Sequence, residues 1–329
     1  MPALCLYYCH PYFQMCLIKT PKKVSLSGRT AWAQISGSAL LILVCLYFLF
    51  PVQNFRQRVN EANKSGKYVA GERELVLPEN ITGKFVYHRT GGGIYIGKLG
   101  ELKSRKLVEQ GKYPRWSPDG KSIAYVDKNK IMLISEKSRE PKVLATASRA
   151  RALCFSPDGY SVLFTDGKLL RSVEIKSHAV KTLLDGYELL ELDAAGDPTR
   201  LAATVRTSFG YKVHVFDFKS GKNRAVTSGC SASLSPDGSL ITVNGKKHRV
   251  LYLYHWDSLK LAGKINAPAK ETFDNHFWSN SPHWLISVTE GEKRDLFIHH
   301  VSENKHYRVT WTGDCDRADL FINGAAHSL

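Results

Sequence analysis

The tetrapeptide Ser-Pro-Asp-Gly occurs three times in this chain, beginning at Ser117, Ser156 and Ser235, and each copy stands between apolar segments. The full units read RWSPDGKSIAYVD at 115–127, CFSPDGYSVLFTD at 154–166 and LSPDGSLITVN at 234–244. Two degraded copies fill the gaps. DAAGDPTRLAATV at 193–205 keeps the turn and the following apolar run, and FWSNSPHWLISVT at 277–289 keeps the aromatic-Ser start. With Ser117, Ser156, Ala195, Ser235 and Ser279 taken as equivalent, the spacings are 39, 39, 40 and 44 residues. A period in this range marks a repeat architecture, in which each unit buries its apolar face only against its neighbours.

Each unit predicts four short strands. An apolar strand leads into the turn, a second strand such as SIAYV or SVLFT follows with alternating inward and outward side chains, a third is seen in KIMLIS, KVHVFDF or RVLYLYHW, and a shorter fourth in KVLAT or KTLLD. Four strands per unit is the arithmetic of a β-propeller blade. Three more strands, KFVYHR at 84–89, IYIGKL at 94–99 and RKLVE at 105–109, lack a first strand, and DCDRADLFI, ending at Ile322, supplies one. Joining the two makes a sixth blade and leaves no unpaired strand edge facing the next unit. Residues 80–329, at about 42 per blade, therefore predict an all-β, six-bladed propeller of four-stranded blades closed by a C-terminal strand.

The segments 116–119, 155–158 and 234–237, Trp/Phe/Leu-Ser-Pro-Asp, resemble the repeat of the TolB-like six-bladed propeller family. The resemblance covers 80–329. It implies a scaffold with protein contacts; it does not carry over TolB's partners, and no counterpart of the N-terminal domain of TolB is visible.

Before the repeats the composition changes. Ala31 to Val52 is a run of 22 uncharged residues ending in ALLILVCLYFLFPV, long enough to cross a hydrocarbon core as a helix, with Trp32, Tyr47 and Phe48 towards its ends. It reads as a single-pass signal anchor and contact with the lipid bilayer. Residues 1–30 are then a short basic leader and 53–79 a charged connector. Lys19, Lys22, Lys23 and Arg29 before the span nearly balance Arg56, Arg58, Lys64 and Lys67 after it, so charge does not fix the orientation. A short leader before a large folded domain favours a periplasmic or otherwise extracytoplasmic propeller. A cleaved signal peptide and a start at Met15 remain open. Asn63 and Asn80 lie in glycosylation sequons that matter only in a glycosylating compartment.

With 43% hydrophobic residues the chain is a folded protein, and seven cysteines in 329 residues exclude a disulfide scaffold. The net charge of +16 admits anionic partners without naming one. Dispersed basic residues without a recognition motif disfavour nucleic acid. Asp119, Asp158 and Asp237 recur as turn residues, which makes them structural, and Trp116, Phe155 and Trp278 read as packing between blades. His276, His283, His299, His300 and His306 gather near Asp274 without a ligand pattern, and adjacent His299 and His300 should face opposite sides of a strand. Cys154 reads as a core residue, Gly91 to Gly93 as a tight turn, and Cys230 to Cys315 as an open disulfide pairing. No nucleophile elbow, zinc-protease or phosphate-loop motif is present. The expectation is a membrane-anchored, non-catalytic interaction or scaffold module with no catalytic, cofactor or metal residues, meeting a protein partner on a propeller rim. The alternatives are a small ligand or glycan in the central channel and an unrecognised hydrolase-like enzyme.

Overall fold

A computed structural model describes residues 77–325 apart from 79, 138 and 139. The leader, the apolar span at 31–52 and nearly all of the connector lie outside the described residues, so the domain boundaries drawn there do too. Among the described residues no helix is long and apolar enough to cross a membrane.

The described residues make 24 strands in six four-stranded antiparallel sheets. They open with β1 (Gly83–Arg89), β2 (Ile94–Lys98) and β3 (Arg105–Val108). Blade 2 follows as β4 (Lys112–Trp116), β5 (Ser122–Asp127), β6 (Lys130–Ser135) and β7 (Lys142–Thr146), and blade 3 as β8 (Leu153–Phe155), β9 (Ser161–Asp166), β10 (Leu169–Glu174) and β11 (Val180–Leu184). Blade 4 is β12 (Leu189–Asp193), β13 (Arg200–Thr207), β14 (Gly210–Asp217) and β15 (Lys222–Ser228); blade 5 is β16 (Cys230–Leu234), β17 (Leu240–Asn244), β18 (Val250–His255) and β19 (Leu261–Asn266). Blade 6 is β20 (Phe273–Trp278), β21 (Trp284–Thr289), β22 (Leu296–His300) and β23 (Lys305–Arg308). The last strand, β24 (Cys315–Ile322), pairs with β1, so that blade 1 has the order β24-β1-β2-β3. The first strands touch one another in the cycle β4, β8, β12, β16, β20, β24 and back to β4, and they line the axis.

Burial follows position within the blade. The second strands are not alternately buried, as their sequences suggest. Ile123 to Val126, Val162 to Thr165 and Leu285 to Thr289 are buried without a break, because each blade packs on a neighbour through both faces. The resulting cores lie between blades. Val86, Ile94 and Ile96 meet Trp116, Ile123 and Tyr125, and on the far side Phe85 and Tyr87 meet Ile286, Val288 and Ile298, joining blade 6 to blade 1.

The outer strands face water with one free edge. Each of β3, β7, β11, β15, β19 and β23 carries Lys or Arg and none carries Asp or Glu. Charge along an edge opposes pairing with another chain. The inner strands have the opposite bias, with Glu191, Asp193, Asp274, Asp316 and Asp319 against Lys112, Arg115 and Arg317. Acid is therefore gathered around the axis and base around the perimeter.

Candidate functional site: a funnel built by the repeat turns

The Ser-Pro-Asp-Gly turns are built alike. Asp119 accepts hydrogen bonds from the Ser117 hydroxyl at 2.6 Å and the Lys121 N–H at 3.0 Å, while Ser117 Oγ accepts from the Ser122 N–H at 2.9 Å. Asp158 serves Ser156 and Tyr160 in the same way, and Asp237 serves Ser235 and Ser239. Serine and turn hydrogen bonds hold the Asp119 and Asp237 carboxyls below the usual range against the opposing effect of burial. The glycine is required: Gly120 and Gly238 have φ of +67 and +70, and a Cβ on Gly120 would meet the Phe321 ring at 2.6 Å. In the degraded turn of blade 6, Asn280 exchanges two hydrogen bonds with the Ile322 backbone of blade 1, at 3.0 and 2.7 Å.

These turns surround a funnel of about 540 Å³ at one mouth of the central channel. Its sides are Trp116, Phe155, Tyr160, Trp278 and Phe321 with Pro118, Pro157 and Pro236, and its base includes Arg115, Cys154, Asp193 and Asp319. Trp116, Phe155 and Trp278 thus have two roles, since each is at least nine-tenths buried between blades and also lines the cavity. Tyr160 stands 73% exposed at the mouth.

Arg115 plugs the channel beneath the funnel. From β4 its Nη2 donates to Asp193 on β12 at 2.7 Å and its Nε to Asp319 on β24 at 3.1 Å, with the guanidinium 3.9 Å from the centre of the Phe277 ring on β20. Asp193 also accepts from Ser233 Oγ at 2.6 Å and the Leu234 N–H at 3.0 Å, and Asp319 from the Trp116 N–H at 2.8 Å. One cation is thereby shared among the inner strands of four blades. Burial works against its charge, but the two carboxylates outweigh burial and keep the guanidinium firmly protonated. Burial pushes Asp319 up despite Arg115. Further along the axis Arg317 donates to Glu191 at 2.7 Å, and Glu191 also accepts from Thr204 and Ser231. Arg294 lies between Asp274 and Asp316, and Asp316 approaches His88 at 3.5 Å.

Arg115, Asp193 and Asp319 belong to no recognisable sequence motif of their own. Their signal is positional: Arg115 and Asp193 each stand two residues before the equivalent positions Ser117 and Ala195, where a channel-facing side chain belongs. Charge at that place in several repeats marks a network across the axis.

The histidines do not converge. His299, completely buried, lies 2.7 Å from Ser287 Oγ and 2.8 Å from His306 Nδ1; burial and neighbouring histidines keep its ring well below the usual value. His276 contacts Thr242 Oγ1 at 2.7 Å, and burial lowers it to about 4. His300, on the other side of the strand, stacks with His283. Among the described residues no group of three His, Cys, Asp or Glu side chains is arranged to hold a metal ion. The open Cys230 to Cys315 pairing is not formed: both are free thiols, and Cys315 is buried beside Thr310 and Thr312. Cys154 is a buried free thiol as well, pushed up by burial and by Asp193. The Gly91 to Gly93 segment is the β1–β2 turn, closed by the Gly92 N–H on the Arg89 carbonyl at 2.8 Å.

No protein-family model matches the chain, and no curated protein matches it in sequence. Solved structures share its fold. TolB from Acinetobacter baumannii is 17% identical with a TM-score of 0.61, over 75% of this chain and 68% of that one. A protein described as a putative TolB from Agrobacterium tumefaciens is 12% identical with a TM-score of 0.55, over 72% of this chain and 91% of that one. A chain of the nidogen/laminin complex is 10% identical with a TM-score of 0.57, over 73% and 98%. At these identities the likeness is one of fold. The chain is a six-bladed β-propeller with weak structural similarity to TolB-like propellers.

Proposed function

We propose that this protein is a membrane-anchored, non-catalytic interaction module that receives a protein partner on the funnel-bearing face of the ring. The observation that carries this reading is the funnel itself. It is an aromatic-sided concavity on a rigid scaffold, with Tyr160 exposed at its mouth and the channel beneath it plugged by a fixed ion network. An aromatic side chain exposed at the edge of an apolar recess is a usual anchor of protein recognition. The nidogen/laminin complex places a ring of this fold in an assembly of proteins, which is consistent with the reading. The uncharged run at 31–52 supplies the anchor, and the propeller stands on the extracytoplasmic side.

A small ligand or glycan in the funnel is the second reading. The Nη1 of Arg115 is buried without a partner on a residue lining the cavity, and a ligand oxygen could satisfy it. The hydrolase-like reading has less support here, because the one thiol at the funnel base, Cys154, is held protonated.

The test is cross-linking and capture of the full chain from detergent-solubilised membranes, beside a Tyr160→Ala variant and an outer-edge variant, Lys142→Ala. A partner retained by the outer-edge variant and lost with Tyr160→Ala supports the face. A partner indifferent to Tyr160 and lost with the outer-edge variant moves the interface to the perimeter. Protease accessibility on intact and opened membranes tests the side, and a propeller digested only once the cytoplasm itself is opened removes the export proposal.

A further inference from the structure

Blade 5 begins with an irregularity. Gly229 has φ +155, and a Cβ there would lie 2.6 Å from the Asn244 carbonyl oxygen. Cys230 pairs with Asn244, the register then shifts before Ser233, and Ser231 sits at φ +53. A bulge of this kind bends a strand and re-aims its side chains. Here it leaves Cys230 half-buried, with Sγ 3.9 Å from His248 Nε2.

The imidazole is fixed from its other side. His248 Nδ1 lies 3.1 Å from Glu290 Oε2. His248 occupies the β17–β18 turn at φ +54, its N–H donating to the Gly245 carbonyl at 2.8 Å and its own carbonyl accepting from the Phe273 N–H at 2.6 Å. Glu290 follows β21, with its N–H on the Thr272 carbonyl at 3.1 Å. Two blades therefore hold a thiol, an imidazole and a carboxylate in line. The thiol and carboxylate sit on opposite ring nitrogens, so the three do not converge on one metal ion; their order is that in which a nucleophile, a base and an orienting group stand in a relay.

We propose that Cys230 is a nucleophilic thiolate, with His248 taking its proton and Glu290 holding the resulting imidazolium, and that it is a site of covalent modification by low-molecular-weight disulfides. The Cys230 sulfur attacks one sulfur of the small disulfide. A bond between them forms, the original S–S bond breaks, and the departing thiolate takes a proton from solvent. Cys230 is oxidised to a mixed disulfide while the reagent is reduced to one thiol. Hydrogen bonds to Cys230 and Glu290 raise the His248 ring to about 10, consistent with an ion pair. The groups acting on the ring are Cys230 from β16 and Glu290 from beyond β21, while exposed Lys246, Lys247 and Arg249 share its own turn. The other described cysteines make poor competitors. Cys154 and Cys315 are buried with their thiols pushed up, Cys315 to about 11. This site is separate from the funnel and stands or falls independently of partner binding.

The test is the reaction of the full chain with 4,4′-dithiodipyridine at pH 6 and pH 8, with the label located by peptide mass mapping. An ordinary thiol slows roughly 80-fold between these conditions as its thiolate is lost. Cys230 should slow less than about threefold, His248→Asn should restore the steep dependence, and Glu290→Gln should fall between. The wild-type profile requires no substitution, so it decides the matter even if a variant misfolds. A steep wild-type profile at Cys230, a His248→Asn profile like the wild type, or a label that enters Cys154 or Cys315 faster than Cys230 would each overturn the proposal.

Discussion

The guanidinium of Arg115 reaches Asp193 at 2.7 Å although blade 3 lies between the strands that carry them. The contact exists because blade 3 presents the small side chain of Cys154 to the axis, leaving room for a long one to cross. It ties β4 to β12, and Asp319 ties the same group to β24.

Removing this group should cost far more than its exposure suggests. Arg115→Met leaves two buried carboxylates without their cation, and breaking a buried pair in this way destabilises by about 3–5 kcal/mol. Asp193→Asn together with Asp319→Asn in the Arg115→Met background should recover part of the loss. Urea unfolding of the three proteins measures this, and a loss below about 1 kcal/mol would show that the network is peripheral to stability.

Acid should weaken the propeller well above the carboxylate range. Burial keeps His276 neutral down to about 4, whereas in the unfolded chain it takes up a proton near pH 6.5. Between those values the unfolded state binds a proton that the folded state refuses, so stability falls as pH falls, by up to roughly 1.4 kcal/mol per unit. Burial shifts His299 in the same direction and adds to the slope. Unfolding midpoints at pH 7, 5.5 and 4.5 should decline, less so for His276→Asn; a flat profile would contradict the assignment.

Asp316 acts on the acid side of the same curve. Burial opposes its charge, but His88 and Arg294 hold its carboxyl far below the ordinary value. Its stabilising contribution is complete above the unfolded value of about 3.9 and is lost as pH drops beneath it. Asp316→Asn should therefore destabilise at pH 7 and much less at pH 2, which unfolding at the two conditions would reveal.

Two glycines with nearly the same backbone angle should respond differently to alanine. Gly196 and Gly221 have φ of +66 and +67, but a Cβ on Gly196 would lie 2.5 Å from the Asp237 carbonyl oxygen, whereas Gly221 has nothing within 4 Å. Gly221→Ala should cost about 1–2 kcal/mol, the backbone penalty alone. Gly196→Ala should cost clearly more, because the turns of blades 4 and 5 must separate. Equal midpoints would mean that the turn contact is soft.

The repeat was legible because every unit solves the same local problem. Ser117, Asp119 and Gly120 form a turn whose hydrogen bonds lie within six residues, so identical letters give identical geometry in three blades. The burial of the second strands was less legible. Ile123 to Val126 look like half of an alternating pattern until a blade is placed on either side. The funnel base is not legible in the sequence, since Arg115 and Asp319 stand 204 residues apart and meet only when the ring is drawn round.

The sequence by itself determined the blade: a period near 40 residues, the turn that starts it, the four strands, and the uncharged run that precedes them. These depend on contacts close along the chain or on composition. Tertiary structure decided which side chains share the axis, that acid lies within and base without, and that Cys230 faces His248 instead of Cys315. The physical reason is that those encounters join residues from different blades, or re-aim them by a bulge, and a one-residue shift in a strand sends a side chain to its opposite face.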